Sequence, residues 1–158
     1  TGLKTGTTGQ AGSCITATAE RNGLSLIAVV LGADSTDHRF QDAAALLDYG
    51  FAGWKATVPE APALEPVPVA RGMAPTVEAQ VGEGPSLLLE AAATGSVETE
   101  VLLEELTAPI KAGDVIGTVR YSLGGEVLAE VDITAAGDVE AVTFASALGY
   151  LFRGLFAL

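Results

Sequence analysis

Apolar positions recur along this chain with two periods, that of a strand and that of a helix, and their succession, with a proline-rich stretch, divides it into three parts. In the first part, Leu3–Thr8, 13–20 and 24–31 read as strands. The second of these alternates Ile15, Ala17 and Ala19 with Thr16, Thr18 and Glu20, the period of two expected of a half-buried strand. Asn22-Gly23 between the second and third suits the positive φ angles of a tight hairpin. The third, LSLIAVVLGA, is apolar throughout, as expected of a strand covered on both faces. The period then becomes helical. Phe40, Ala43, Ala44 and Leu47 make an apolar stripe, and Ser35 or Thr36 is placed to cap the helix start. Three antiparallel strands closed by a helix form the edge of an α+β domain, and a sheet so narrow is expected to leave apolar surface open.

Pro59, Pro62, Pro66 and Pro68 put four of the seven prolines within ten residues, so 58–68 is expected to be an extended linker between domains at 1–57 and 69–138. Beyond the linker the period is two again. Residues 76–81 alternate, as do Val97, Thr99, Val101 and Leu103. Val115–Leu123 and 126–133 flank Gly124-Gly125 as a hairpin, with Val115, Gly117, Val119, Tyr121 and Leu123 on one face and Thr118, Arg120 and Ser122 on the other. Short strands punctuated by Gly and Pro point to a small β-sandwich. From Val139 to Leu158 the steps of three and four return, through Val142, Ala145, Leu148, Leu151, Phe152, Leu155 and Phe156. This tail reads as an amphipathic helix lying in a membrane interface, the alternative being a terminal helix docked on a protein core. Thr143, Ser146, Gly149 and Arg153 disfavour a membrane-spanning helix, which needs about 20 mostly apolar residues.

Charge narrows the function classes. The net charge is −12 over 158 residues, and it is unevenly placed: four basic and five acidic residues up to Val58, four basic and fifteen acidic after it. Phosphate contacts need clustered Lys and Arg, so nucleic-acid binding is disfavoured, as is adsorption to anionic lipid by charge. One cysteine excludes an intrachain disulfide, and Cys14 reads as a small buried strand residue. A thiol paired with the lone His38 lacks an orienting third group, and one His with one Cys makes no metal site, so neither metal nor cofactor is expected.

Lys4-Thr5-Gly6-Thr7-Thr8 carries the chemistry. An ammonium and a hydroxyl side by side on a strand edge can grip a carboxylate, and a glycine between them leaves room for a substrate backbone. Lys-Thr-Gly is also the third signature of the penicillin-binding serine acyl-transferases. From Gly2 to Trp54, through KTGTTGQAGSCITATAERNGLSLIAVVLGADSTDHRF and QDAAALLDYGF, the chain resembles the end of the catalytic domain of type-5 D-alanyl-D-alanine carboxypeptidases, low-molecular-mass penicillin-binding proteins. ELTAPIKAGDVIGTVRYSLGGEVLAEVDI resembles their C-terminal β-domain, and the tail their membrane anchor.

The resemblance implies a periplasmic enzyme on the outer face of the bacterial cytoplasmic membrane. It would remove terminal D-alanine from peptidoglycan pentapeptides through an acyl-enzyme and would bind β-lactams. It gives Lys4 and Thr7 catalytic roles: Lys4 sets the protonation of the proton relay, and the Thr7 N–H donates to the oxyanion. It gives Thr5, Thr7 and Arg39 to the substrate's terminal carboxylate and Gly6 to substrate binding as well, although Arg39 also reads as a surface arginine at a helix start. Such enzymes need Ser-x-x-Lys and Ser-x-Asn, and neither occurs: Ala52 precedes Lys55 by three residues, Ala108 precedes Lys111, and Glu20 stands two before Asn22, the only asparagine. The chain is therefore expected to be a C-terminal portion of a longer enzyme, or else a short protein without catalysis. A serine β-lactamase shares the Lys-Thr-Gly strand, but a β-domain after it argues against that reading. A non-catalytic β-module tethered to lipid is the rival from another class.

The anchor reading has a direct test. Burying Phe144, Leu148, Phe152, Leu155 and Phe156 contributes at most ~1.5–3 kcal/mol each, and this apolar term resists salt, unlike a basic anchor. The intact chain should co-sediment with liposomes at low and high salt, and a chain ending at residue 138 should stay in solution with its melting unchanged. Unfolding of the shortened form would place the tail in a protein core.

Overall fold

The structure, a computed structural model, describes residues 2–144 and 148. These residues form β1 (Leu3–Thr8), β2 (Gly12–Arg21), β3 (Leu24–Ala33), α1 (Thr36–Gly53), β4 (Trp54–Thr57), β5 (Val67–Ala70), β6 (Thr76–Val77), β7 (Ala79–Val81), β8 (Leu87–Glu90), β9 (Glu98–Leu103), β10 (Leu106–Thr107), β11 (Val115–Leu123) and β12 (Glu126–Ala135). The fold is thus rich in β-sheet, with one helix of 18 residues. Most of the amphipathic helix expected at 139–158 lies outside the described residues. The chain divides into two compact units, Thr1–Val58 with Ser86–Gly95, and Pro59–Pro85 with the chain from Ser96.

In unit 1, β1, β2 and β3 form an antiparallel sheet in that order. The β2–β3 turn has positive φ at Asn22 (51°) and Gly23 (79°), the conformation that the Asn-Gly pair predicts. One sheet face packs on α1. Ile15 lies opposite Val30, and both meet Ala43 of the helix, with Ala17 and Ala33 alongside. Ser35 caps α1 by accepting the His38 N–H at 3.1 Å. The helix turns Arg39 and Ala43 inward, while Phe40 is 42% exposed and Ala44 is open to solvent. The buried stripe is therefore rotated from the one expected through Phe40 and Ala44. Small residues set this rotation: a Cβ on Gly50 would lie 2.6 Å from Leu26 Cδ1, so the helix comes closest to β3 on its 39–43–50 side.

The other face of the sheet differs from expectation. Ile27, Val29 and Leu31 are 71%, 54% and 76% exposed, so β3 is covered on one face rather than two among the described residues. The single helix of the unit reaches only the face that carries Ile15 and Val30. After α1, β4 pairs antiparallel with β8, Trp54 opposite Glu90 and Thr57 opposite Leu87, and the Ala91 N–H donates to Gly53 O at 2.8 Å.

In unit 2, the β7-β12-β11-β9 sheet carries the most buried side chains, Val119, Tyr121, Ile133 and Ile116, with a second sheet ordered β10-β5-β6. The β11–β12 hairpin turns at Gly124 and Gly125, both at positive φ. Its register shifts between Val115 and Gly117. This bulge turns Ile116 inward at 1% exposure and leaves Val115, which simple alternation places inside, 52% exposed. Residues 76–81 alternate as expected but split at Glu78, with β6 in one sheet and β7 in the other. Val67 and Pro68, expected in the linker, open β5, where Val67 and Val69 are buried.

Val139, the first residue of the expected tail helix, is 3% exposed and exchanges two 2.9 Å hydrogen bonds with the Ile110 backbone. Next to it the Ala112 N–H and Lys111 ammonium hold the Asp138 carboxyl below its usual pKa. Their stabilising contribution is present above the unfolded carboxylate pKa of ~3.9 and is lost as pH falls through the lower folded value. Residues 139–142 therefore continue the backbone pairing of unit 2, with Ala141 bridged to Gly72, so a chain ending at residue 138 should itself melt lower and the liposome comparison needs one ending at residue 142.

Gly117 tests the packing of β11 on β9. A Cβ there would lie 2.5 Å from Leu102 O and 3.1 Å from Leu103 Cα, backbone atoms that cannot swing away. Gly117→Ala should destabilise unit 2 by about 1–3 kcal/mol and lower its melting temperature by roughly 4 °C or more. Gly137→Ala, which meets nothing within 4 Å, is the control and should melt like the parent.

Candidate functional site

The Lys-Thr-Gly segment lies in β1, the edge strand of the unit 1 sheet. Its register against β2 is unbroken, Lys4 opposite Thr16, Thr5 opposite Ile15, Gly6 opposite Cys14 and Thr7 opposite Ser13. Because Ile15 faces α1, Thr5 and Thr7 lie on the helix-covered face, and Lys4 and Gly6 on the other. The backbone alternates as well. Thr18 N–H donates to Gly2 O at 3.0 Å, which turns Gly2 toward β2. By the same alternation Lys4 and Gly6 bond inward, and the N–H groups of Thr5 and Thr7 point to the free edge.

Arg39 reaches this strand from the first turn of α1. Its Nη1 donates to Thr7 Oγ1 at 3.0 Å and makes longer contacts to Gly6 O (3.4 Å) and Cys14 O (3.5 Å). Arg39 is 8% exposed, so it is not a surface arginine, and its Nε is buried without a partner. The guanidinium also lies 5.1 Å from the Phe40 ring centroid. Among the described residues no carboxylate pairs with Arg39. A buried cation without a counter-ion is costly, and the cost falls when an anion arrives. Thr7 completes the arrangement: its hydroxyl accepts from Arg39, so its own proton is left to donate toward the strand edge.

The structure brings Arg39, Thr7 and Gly6 together. It places Lys4 on the opposite face, exposed, with Nζ donating to Thr5 O at 2.9 Å. Thr5 is half-buried on the helix-covered face. Cys14, expected to be buried, is half-buried, and its Sγ donates to Ala11 O at 3.3 Å. His38 is exposed and contributes its backbone to the helix cap. Among the described residues no three His, Cys, Asp or Glu side chains gather as a metal site. Sequence reading missed the part played by Ser13, buried opposite Thr7, and by the Cys14 carbonyl. Backbone acceptors leave no trace in side-chain identity, and the only signal for Ser13 was its alternation with Ile15.

Known proteins match this chain in two parts. The family described as penicillin-binding protein 5, C-terminal domain, matches residues 59–141, and that described as D-alanyl-D-alanine carboxypeptidase matches residues 1–35. The D-alanyl-D-alanine carboxypeptidase DacF of Bacillus subtilis is 32% identical over 148 residues, which are 90% of this chain and 38% of that protein. DacC of Escherichia coli, also named a D-alanyl-D-alanine carboxypeptidase, is 33% identical over 143 residues, 88% of this chain and 36% of that one. Among solved structures, penicillin-binding protein 5 from Haemophilus influenzae superposes with a TM-score of 0.64 at 28% identity, covering 87% of this chain and 41% of that one. The chain thus spans little more than a third of the length of the curated relatives it matches.

Removing the guanidinium should be felt in the fold. Arg39→Met leaves the Thr7 hydroxyl and the Gly6 and Cys14 carbonyls without their donor, and should destabilise unit 1 by about 1–3 kcal/mol. Urea melting followed by Trp54 fluorescence, which reports on unit 1 alone, would register the loss. An unchanged midpoint would mean that Arg39 does not hold β1.

Proposed function

Because the chain belongs to the penicillin-binding protein 5 family, whose C-terminal domain matches more than half of it, we propose that it is the C-terminal part of a serine-type D-alanyl-D-alanine carboxypeptidase. The organisation proposed is the end of the catalytic domain up to residue 57, a linker to residue 66, a β-sandwich to residue 142 apart from the Ser86–Gly95 segment of unit 1, and a lipid-contacting tail. The complete enzyme would act on peptidoglycan stem peptides at the outer face of the cytoplasmic membrane, releasing terminal D-alanine by acylation of a serine and hydrolysis of the acyl-enzyme.

The observation that carries this reading is the buried Arg39 guanidinium against Thr7 Oγ1 beside an open strand edge. In the proposed mechanism the substrate's C-terminal segment lies along β1 as an added strand. Its terminal carboxylate accepts hydrogen bonds from the Thr7 and Thr5 hydroxyls, and the charge of Arg39 acts behind them. Gly6, without a side chain, leaves room for the peptide. The Thr7 N–H on the free edge supplies one oxyanion donor, and the second comes from the serine's own amide in the Ser-x-x-Lys segment. Lys4, on the opposite face, supplies a positive charge beside the proton relay. Such charge favours the deprotonated form of the group that takes the serine proton.

The test is acylation by labelled penicillin, read by intact mass. In the protein that includes the Ser-x-x-Lys segment, Lys4→Ala should slow acylation on the order of 10²–10⁴-fold without changing the melting temperature. The 158-residue chain should give no adduct at all. Near-normal acylation by a folded Lys4→Ala enzyme would remove Lys4 from the chemistry.

A further inference from the structure

We propose that the loop at residues 71–75 of unit 2 touches the bilayer as a second lipid contact beside the tail. The proposal rests on the reading of the tail as lipid-contacting and adds to it. The loop is tied to the strand that leads into the tail. Val142 N–H donates to Arg71 O and Met73 N–H to Glu140 O, each at 2.8 Å, and Gly72 bridges Ala141. The pairing is close: a Cβ on Gly72 would lie 2.7 Å from both Ala74 O and Val139 Cγ1. Alternation places Gly72 and Ala141 on the side of the buried Val139, and Arg71, Met73, Glu140 and Val142 on the outward side. There Met73 lies diagonally from Val142, within side-chain reach. Met73 is 42% exposed, Val142 49%, and Phe144, two residues on, 85%.

Charge singles out this end of an otherwise acidic unit. Residues 66–77 and 106–113 carry no carboxylate. The fold sets the two stretches side by side: β5 pairs with β10, the Ala108 N–H donates to Ala70 O, and Ile110 pairs with Val139. Of the carboxylates that flank them, Asp138 is paired with the Lys111 ammonium and Asp114 accepts the Lys111 N–H. Glu140 stands opposite Met73 on the outward face, where it keeps its hydration at headgroup depth. Arg71 makes no ion pair among the described residues and can donate to lipid phosphate. Distance then sets the depth. A hydrocarbon core of ~30 Å within ~40–45 Å of bilayer leaves a headgroup layer of roughly 5–8 Å on each side. Phe144 is two residues from Val142, at most about 7 Å of chain. A tail that enters the interface at Phe144 therefore holds Val142 and Met73 within reach of the headgroups, and the loop cannot withdraw without breaking its bonds to residues 140 and 142. Two contacts fix how unit 2 stands on the bilayer, whereas a tail alone lets it swivel.

Trp54 is the only tryptophan, so Met73→Trp in a Trp54→Phe background puts a single indole in the loop of the 158-residue chain. On vesicles of mixed phosphatidylcholine and phosphatidylglycerol its emission should shift to the blue, and it should be quenched when the acyl chains carry bromine. Val127→Trp in the same background, an exposed position at the β11–β12 turn, is the control and should stay unquenched. Met73→Asp should lower vesicle partitioning roughly tenfold or more, the scale of losing one buried apolar side chain, with melting unchanged. If the chain binds but the indole at position 73 is quenched no more than that at 127, or if a folded Met73→Asp chain partitions like the parent, the loop contact is overturned and the tail reading stands. A parent chain that never co-sediments would overturn both. A blue shift that grows with protein concentration in the absence of lipid would give the patch to a second copy of the chain instead.

Discussion

The contact between the Arg39 guanidinium and Thr7 Oγ1 ties the helix of unit 1 to the edge strand of its sheet. Among the described residues strand β1 is an edge strand with β2 as its one partner, and most of its side chains are exposed. Edge strands held from one side fray readily. Arg39 holds this one from the helix side, on a helix whose own position is set by Ala43 against Ile15 and Val30. Small residues at 43 and 50 let α1 approach the sheet closely enough for an arginine at its first turn to reach the edge. Fixing the strand and presenting its open edge therefore have one cause, and a buried charge without a carboxylate partner is the cost of that arrangement.

Unit 2 rests on a different constraint. Its core is centred on one hairpin, and the bulge at Val115–Gly117 chooses which of its apolar residues enter. Gly117 then permits a backbone approach to β9 that no larger residue allows. Charge in this unit is a surface matter. Arg120 illustrates it, half-buried between Glu130 at 2.8 Å and Glu100 at 3.4 Å across neighbouring strands, pairs open enough to water to contribute little net stability.

Sequence families and folding units do not coincide here. The match to the penicillin-binding protein 5 C-terminal domain runs unbroken through residues 59–141, yet Ser86–Gly95 within it folds into unit 1 by pairing β8 with β4. LLLE at 87–90 is a short apolar run whose burial alternates only once it is paired, so nothing local marks its destination. Strand partners are chosen by which edge is free at the right separation, and a periodicity does not carry that information.

Local chemistry made much of the chain legible from sequence. Asn22-Gly23 and Gly124-Gly125 stated their turns because positive φ is a property of single residues. The strands β2, β11 and β12 were readable from period two and β3 from its unbroken apolar run, and the Lys-Thr-Gly motif located the candidate site and its family because that chemistry needs those residues adjacent. What only the tertiary structure decided depends on partners distant in sequence. Arg39 read equally as a surface residue, and its burial comes from the approach of a helix set by Ala43 and Gly50. Phe40 fits an apolar stripe yet faces solvent, because the small residues, not the largest ones, set the helix rotation. Ile116 replaced Val115 in the core because the bulge reverses the alternation at that point, while Gly117, Val119 and Tyr121 keep the face that alternation predicts. Period and propensity act over a few residues, whereas burial is settled by what lies across the interface.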